Sequence, residues 1–85
     1  MRIISREMRG IPYFLLKEYL VELGGTLVGD DLITGQGWKV KLTRMEPYKF
    51  HSLSVGQSRL DMELEDEVAD QFLESFGMKT LRAGA

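Results

Sequence analysis

The sequence predicts an α+β domain of the order β-α-β-β-β(-β)-α, with one curved antiparallel sheet and two helices packed on one of its faces. Three observations predict it. Apolar residues recur with the helical period of about 3.6 near each end of the chain. Residues 26–64, which lie between, alternate apolar and polar side chains with the period of a strand. No strand pattern follows the second helical stripe, as a ferredoxin-like domain would require, so both stripes must share one sheet face.

The chain opens with a strand and a helix. Residues 2–9 form the strand, seeded by β-branched Ile3 and Ile4. The helix spans residues 12–23, because proline suits a first helical position and Gly24-Gly25 suits the end of a helix. Its apolar stripe consists of Tyr13, Leu15, Leu16, Tyr19, Leu20 and Leu23.

Two apolar residues of this helix do not belong to that stripe. Phe14 and Val21 flank Lys17 on the otherwise polar side. One interpretation is simple exposure, or cover by another part of the same chain. The other is a contact surface formed by Phe14, Lys17 and Val21, through which the protein self-associates or docks on a larger protein partner.

The middle of the chain predicts consecutive antiparallel strands. Residues 26–28 begin the first, and Asp30-Asp31 interrupt it as a bulge or turn. Residues 34–37 have the composition of a hairpin loop. Residues 38–43 alternate apolar side chains with Lys39 and Lys41, which is typical of a half-buried strand.

The later strands follow the same pattern. Glu46-Pro47 ends or bends the strand before it, because proline has no N–H to donate. Leu53 and Val55 start another strand, and we expect a tight turn at Gly56-Gln57 before residues 59–64. The solvent side of that last strand carries Asp61 and Glu63, which predicts pairing with the lysines at 39 and 41.

The second helix begins at the acids of residues 65–67, since negative charge is favoured at a helix N-terminus. Its stripe consists of Val68, Ala69, Phe72, Leu73 and Phe76. We expect Gly77 to end this helix, with Met78 folding back on Leu73. Residues 1–82 then form a single α+β domain, and residues 83–85 form a frayed tail.

Composition excludes several classes of function. A formal net charge of −2 and a pI near 5.3 argue against nucleic acid as a partner. The chain has no cysteine, which excludes disulfides and thiolate chemistry. Charged residues interrupt every apolar run near the N-terminus, so we expect no membrane segment and a cytoplasmic location.

Neither metal nor catalytic chemistry is predicted. The acids of residues 61–67 lack the glycine and glutamate positions of an EF-hand loop, and the paired glycines do not match a phosphate-binding loop. His51, the single histidine, has no recognisable partner for acid–base work. We therefore expect no catalytic residue, no metal and no cofactor, and a protein that is not an enzyme.

One aromatic group has two interpretations. Trp38, Tyr48 and His51 either plug one end of the sheet or form the mouth of a pocket between helices and sheet. The second interpretation predicts a small-ligand-binding domain. It is the alternative to a non-catalytic protein-interaction or accessory module.

Four segments carry a family resemblance. They are the helix from Ile11-Pro12-Tyr13 to Leu23-Gly24-Gly25, the Gly37-Trp38 entry to a strand, the Glu46-Pro47-Tyr48 bend, and Ser52-Leu53 before Val55. Together they resemble an uncharacterised domain that follows the ubiquitin-like part of some MoaD-related sulfur-carrier proteins. The chain ends Gly84-Ala85, where such carriers have Gly-Gly. The resemblance thus implies an accessory role near molybdopterin or sulfur-transfer chemistry.

The predicted arrangement also resembles the TATA-binding-protein-like, or helix-grip, class of folds. That likeness implies nothing about DNA, because fold alone does not set function.

Overall fold

A computed structural model describes residues 1–82 of the chain. They form one open five-stranded antiparallel sheet with two helices, which confirms the predicted α+β class. The elements, in chain order, are β1 (Arg2–Arg9), α1 (Tyr13–Glu22), β2 (Thr26–Val28), β3 (Leu32–Gly35), β4 (Trp38–Phe50), β5 (Leu53–Leu64) and α2 (Asp66–Arg82).

The spatial order of the strands is β1-β5-β4-β3-β2. Helix α1 carries the chain from the β1 edge of the sheet to the β2 edge. The next four strands return as consecutive hairpins, and β5 therefore arrives beside β1. All neighbours are antiparallel, so this route needs only one long connection.

Both helices bury their apolar stripes against one face of the sheet. The strand side chains on that face alternate with solvent-facing ones, as the period of two predicts. The core consists of Ile11, Leu16, Leu20, Ile33, Trp38, Val40, Leu42, Leu60, Met62, Leu64, Ala69, Phe72 and Phe76.

Within this core, Trp38 joins helix α2 to the sheet. Its ring lies 4.7 Å, centroid to centroid, from that of Phe72 on α2. Two glycines leave room for the indole. A Cβ at Gly35 would overlap the ring, and a Cβ at Gly25 would come within 2.6 Å of it.

The prediction of a turn at Gly56-Gln57 is wrong. Strand β5 runs without a break through both residues, and the hairpin turn lies at His51-Ser52 instead. His51 itself adopts the left-handed conformation, with φ of 56°. The physical reason is the long pairing of β4 with β5, which places the reversal five residues earlier than glycine composition indicates.

The prediction that Gly77 ends the second helix is also wrong. Helix α2 continues to Arg82, although glycine costs about 1 kcal/mol in a helix interior. Tertiary contacts offset that cost. Thr80 is buried on the extended stripe, and Lys79 Nζ lies 3.1 Å from Glu22 Oε1 on α1. Met78 therefore stays exposed and does not fold back.

The Glu46-Pro47 segment bends β4 and does not end it. The register with β5 shifts between Met45 and Tyr48, where β4 holds one extra residue. Bulges of this kind increase local twist and redirect a strand. The interruption predicted at Asp30-Asp31 is a turn at residues 29–31, and the hairpin loop predicted at residues 34–37 is shorter, because Thr34 and Gly35 belong to β3 and only residues 36–37 form the turn. The predicted frayed tail at residues 83–85 lies outside the described residues.

Neither helix of the described region is long and apolar enough to cross a lipid bilayer.

Replacing Leu20 by alanine should lower the free energy of unfolding by about 2 to 5 kcal/mol, because the side chain is fully buried and would leave a cavity. Its neighbour Val21 is 45% exposed and supplies the control. Val21→Ala should change the free energy by only about 0.5 kcal/mol. Urea unfolding of both variants measures the difference, and similar midpoints would contradict the core assignment.

Replacing Gly35 by alanine should cost about 1 to 3 kcal/mol of stability, because the new methyl group displaces the Trp38 ring. Gly56→Ala is the matched control, since a Cβ on this other strand glycine meets no atom within 4 Å. Thermal melting and the fluorescence of Trp38, the single tryptophan, report both effects. An unchanged emission spectrum in Gly35→Ala would argue against the close packing.

Candidate functional site

One part of the sheet extends beyond its neighbours. Pairing of β3 with β4 stops at Lys41, followed by a hydrogen bond from Leu42 N to Asp31 O. Pairing on the other side stops where Gly10 N donates to Gly56 O. Residues 46–55 therefore project as a two-stranded ribbon, here called the arm. It accounts for the elongated shape of the molecule, 43 × 25 × 21 Å.

The arm presents apolar side chains to solvent. Tyr48 lies opposite Val55, and Phe50 lies opposite Leu53, so all four share one face of the ribbon. Phe50 is 55% exposed and Leu53 is 65% exposed. A lone two-stranded hairpin is marginally stable in water, so such a surface gains stability when something covers it.

A small polar network holds the base of the arm. Arg9 Nε donates to Gln57 Oε1 at 2.9 Å, and Gln57 Nε2 donates to Glu46 O at 3.0 Å. The guanidinium of Arg9 also lies 4.0 Å above the centre of the Tyr48 ring. Because Glu46 is part of the bulge, these contacts tie the bend of β4 to the end of β1.

A groove of about 570 Å³ separates the arm from the start of α1. Residues 10–14, 44–45 and 54–58 line it. Its walls combine the apolar rings of Tyr13 and Phe14 with the hydroxyls of Ser54 and Ser58 and with the cation of Arg44. This groove is open to solvent.

Two cationic side chains lie against the ring of Tyr13, which lines the groove. The Arg44 guanidinium lies 4.5 Å from its ring centre, and Lys17 Nζ lies 4.8 Å from it. Burial raises the pKa of Tyr13 above 10.0, and the carboxylates of Asp31 and Asp30 add to the rise, whereas Arg44 opposes it. The phenol therefore stays neutral near pH 7.

The three residues predicted as a contact face lie on the solvent side of α1. Phe14 is 65% exposed and forms part of the groove rim. Val21 is exposed, and Lys17 is half-buried because its amine covers Tyr13. The predicted face is thus continuous with the groove at Phe14.

The structure does not bring Trp38, Tyr48 and His51 together. Trp38 is buried beneath α2, and Tyr48 lies ten residues further along β4, roughly 30 Å away for an extended strand. His51 is at the arm tip, with its ring 4.4 Å from that of Phe50. Two hollows of about 180 and 260 Å³ flank Trp38, and neither is lined by Tyr48 or His51. These three residues therefore share no pocket mouth.

Sequence reasoning missed the groove residues, above all Arg44 and Ser54. The missed signal was small residues at every second position before and after Gly56, namely Ser52, Ser54 and Ser58. Within residues 1–82, no group of three or more His, Asp or Glu side chains has the arrangement of a metal site.

Charge is segregated toward the arm and groove. Residues 6–17 and 44–59 contain six lysines and arginines but only two acids. The rest of the chain contains eleven acids and five basic residues. The weakly negative net charge therefore conceals one basic end.

The sequence of this chain matches a known protein family. The family described as "Archaeal MoaD-like protein" matches residues 4–85, almost the whole chain. The chain belongs to this family. Membership agrees with the resemblance noted above, and the match covers the arm, the groove and both helices. Curated proteins offer no match to the sequence.

The open face of the sheet in this MoaD-like chain differs from the arm. Lys39 lies opposite Glu63, and Lys41 lies opposite Asp61, which confirms the predicted pairing of charges. Lys39 Nζ is 3.7 Å from Glu63 Oε2. Both side chains are half-exposed, so such a pair contributes only about 0 to 1 kcal/mol. On this face, opposite charges lie across from each other within the chain. On the arm, the large apolar side chains stay exposed.

Asp61 has the most perturbed carboxyl group of that open face. Ser5 Oγ donates to its Oδ1 at 2.7 Å, and this bond is the main reason that the pKa of Asp61 lies below 3.8. Desolvation opposes this shift, and the cations of Arg59 and Lys41 lower the pKa of Asp61 further.

Replacing Ser5 by alanine should raise the pKa of Asp61 back toward 3.8. The folded-state pKa is depressed, so this group stabilises the fold above pH 3.8 and loses that effect as the pH falls through the lower folded value. The variant should therefore lose this contribution near neutral pH, and its stability should differ least from that of the wild type in strong acid. Carboxyl-carbon NMR titration measures the pKa, with Ser52→Ala at the arm tip as control. Equal Asp61 titration curves for Ser5→Ala and the wild type would refute the assignment.

Proposed function

We propose that this chain is a non-catalytic protein-interaction module that serves sulfur-carrier or molybdopterin chemistry in an accessory role. One observation carries the proposal. Phe14, Phe50 and Leu53 are each more than half exposed at the basic end of the molecule, Phe14 on the groove rim and the other two on the face of the arm turned away from the helices. Membership of the MoaD-like family supports the chemical setting.

The energetics favour contact through this end. Each large apolar side chain gains about 1.5 to 3 kcal/mol when it is removed from water, before the entropy of association is subtracted. Aromatic side chains are frequent anchors of interfaces, and Phe14 and Phe50 supply two. Surrounding cations add a charge preference that steers the encounter.

The partner we propose is a ubiquitin-like sulfur carrier, because the resemblance links this domain to such carriers. A second copy of the chain is the competing occupant. Two copies would bring two basic ends together, and like charges across an interface cost affinity.

Small-ligand binding is less favoured by the geometry. Ligand pockets occupy about 300 to 1,000 Å³ and enclose most of the ligand. The two hollows beside Trp38 are smaller, at about 180 and 260 Å³. The groove is large enough, but it is open to solvent.

The double variant Phe14→Glu, Val21→Glu should stay folded, because both side chains are exposed, and should lose binding to a purified ubiquitin-like sulfur carrier by about tenfold or more. The matched control is Met78→Glu, Leu81→Glu, which places the same charges on exposed apolar positions of α2. Calorimetric titration measures affinity, and sedimentation of the chain alone reports self-association.

Equal affinity in both double variants would overturn the proposed surface. Absence of carrier binding in the wild type would overturn the proposed partner. A stable wild-type dimer that Phe14→Glu, Val21→Glu dissociates would assign the same surface to a second copy.

A further inference from the structure

Strand β5 has an unused backbone edge where it passes the groove. In an antiparallel strand, alternate residues direct both N–H and C=O to the same neighbour. Gly56 faces β1, because its carbonyl accepts from Gly10 N. Ser54 therefore also faces that side, but the chain has already turned away at Gly10-Ile11-Pro12 toward α1. The Ser54 backbone groups point into the groove.

The other strand edges carry features that discourage pairing. The free edge of β1 bears Arg2, Arg6, Glu7 and Arg9. Strand β2 is only three residues long. On the opposite side of the arm, β4 contains Pro47 and Lys49. Charged residues, proline and short length are the usual protection of edge strands.

The groove edge of β5 has none of these protections. The residues of β5 whose backbone faces it are Ser54 and Gly56, which are small and uncharged. The start of α1 supplies a wall beside this edge, with Tyr13 and Phe14. An added strand would lie about 4.8 Å from β5 and would occupy the place that β1 has left.

The alternation of side chains between the two faces of the arm predicts which residue types such an added strand has. Arg44, Lys49 and Ser54 lie on the side of the ribbon that faces the helices, as the register shows. Leu53 and Val55 lie on the other side. A strand that alternates acidic and apolar residues therefore matches cations on one side and apolar side chains on the other.

Building on the proposed function, we propose that the groove edge of β5 at Ser54 binds an extended, acidic segment of a partner protein as an added β-strand. A second copy does not supply the segment. Most of the acids outside β5 in this chain lie in α1 and α2, which are helical, and residues 6–17 and 44–59 around the groove are basic in sum.

The probe is a synthetic peptide of about ten residues in which glutamate alternates with valine. Added to the isotope-labelled chain, it should shift the amide signals of Ser54 and Gly56 and protect them from hydrogen exchange. A peptide in which lysine replaces glutamate should bind about tenfold more weakly. Shifts confined to β1 or β2, or equal binding of both peptides, would overturn the proposal.

Backbone pairing is tested separately from side-chain contact. Ser54→Pro removes the N–H that faces the groove and no hydrogen bond within the sheet, so it should reduce peptide affinity about tenfold. Ser54→Ala keeps the N–H and should bind like the wild type. N-methylation of the peptide at alternate residues gives the same test without altering the protein. Methylation of the peptide residues whose N–H groups face β5 should abolish binding, and methylation of the alternate set should not. Equal loss with both sets would contradict strand addition.

These results distinguish the inference from the proposed function. If Ser54→Pro and methylated peptides behave like their controls while Phe14→Glu, Val21→Glu still loses the carrier, strand addition fails and the interaction module stands. If strand addition occurs but the carrier does not bind, the edge is real and the proposed partner is wrong.

Discussion

The packing of Trp38 over two glycines is the contact on which the rest of the structure depends. The indole lies against Phe72 of α2, and Gly25 and Gly35 keep the space that it fills free of side chains. Trp38 is also the first residue of β4, where it pairs with Leu64 on β5. One side chain thus joins the second helix to the sheet and sets the register of the central hairpin.

That register determines the position of the arm. From the pair Trp38 and Leu64, β4 and β5 stay in step until the bulge after Met45. The strands on either side stop before this point, so the hairpin leaves the sheet with both edges open. Gln57 fixes the bend of the hairpin, because its side chain donates a hydrogen bond to the Glu46 carbonyl and accepts one from the Arg9 side chain. The exposed surface is therefore a consequence of unequal strand lengths around one packed tryptophan.

Local pattern alone predicted the fold class, the stripe of α1 and the pairing of lysines with acids. Phe14 and Val21 were also identified in this way, since the helical period shows which residues leave the stripe. Long-range contacts were not predictable. Gly56 lies in a strand because the distant strand β4 pairs with that segment. Gly77 lies in a helix because the contact with Glu22 and the buried helix stripe stabilise the helix beyond it. The groove was missed because it exists only where β1 ends before β5.

The pairing of the first strand with the fifth constrains the order in which this domain is completed. Arg2 pairs with Leu64, and Arg9 pairs with Gln57, so β1 has no partner until the distant residues of β5 are made. Contacts between residues so distant in sequence slow the folding of small domains. A nascent chain lacking residues 57–64 would hold α1 and most of the hairpins with no partner for β1. An unpaired strand of this kind favours aggregation until β5 is made.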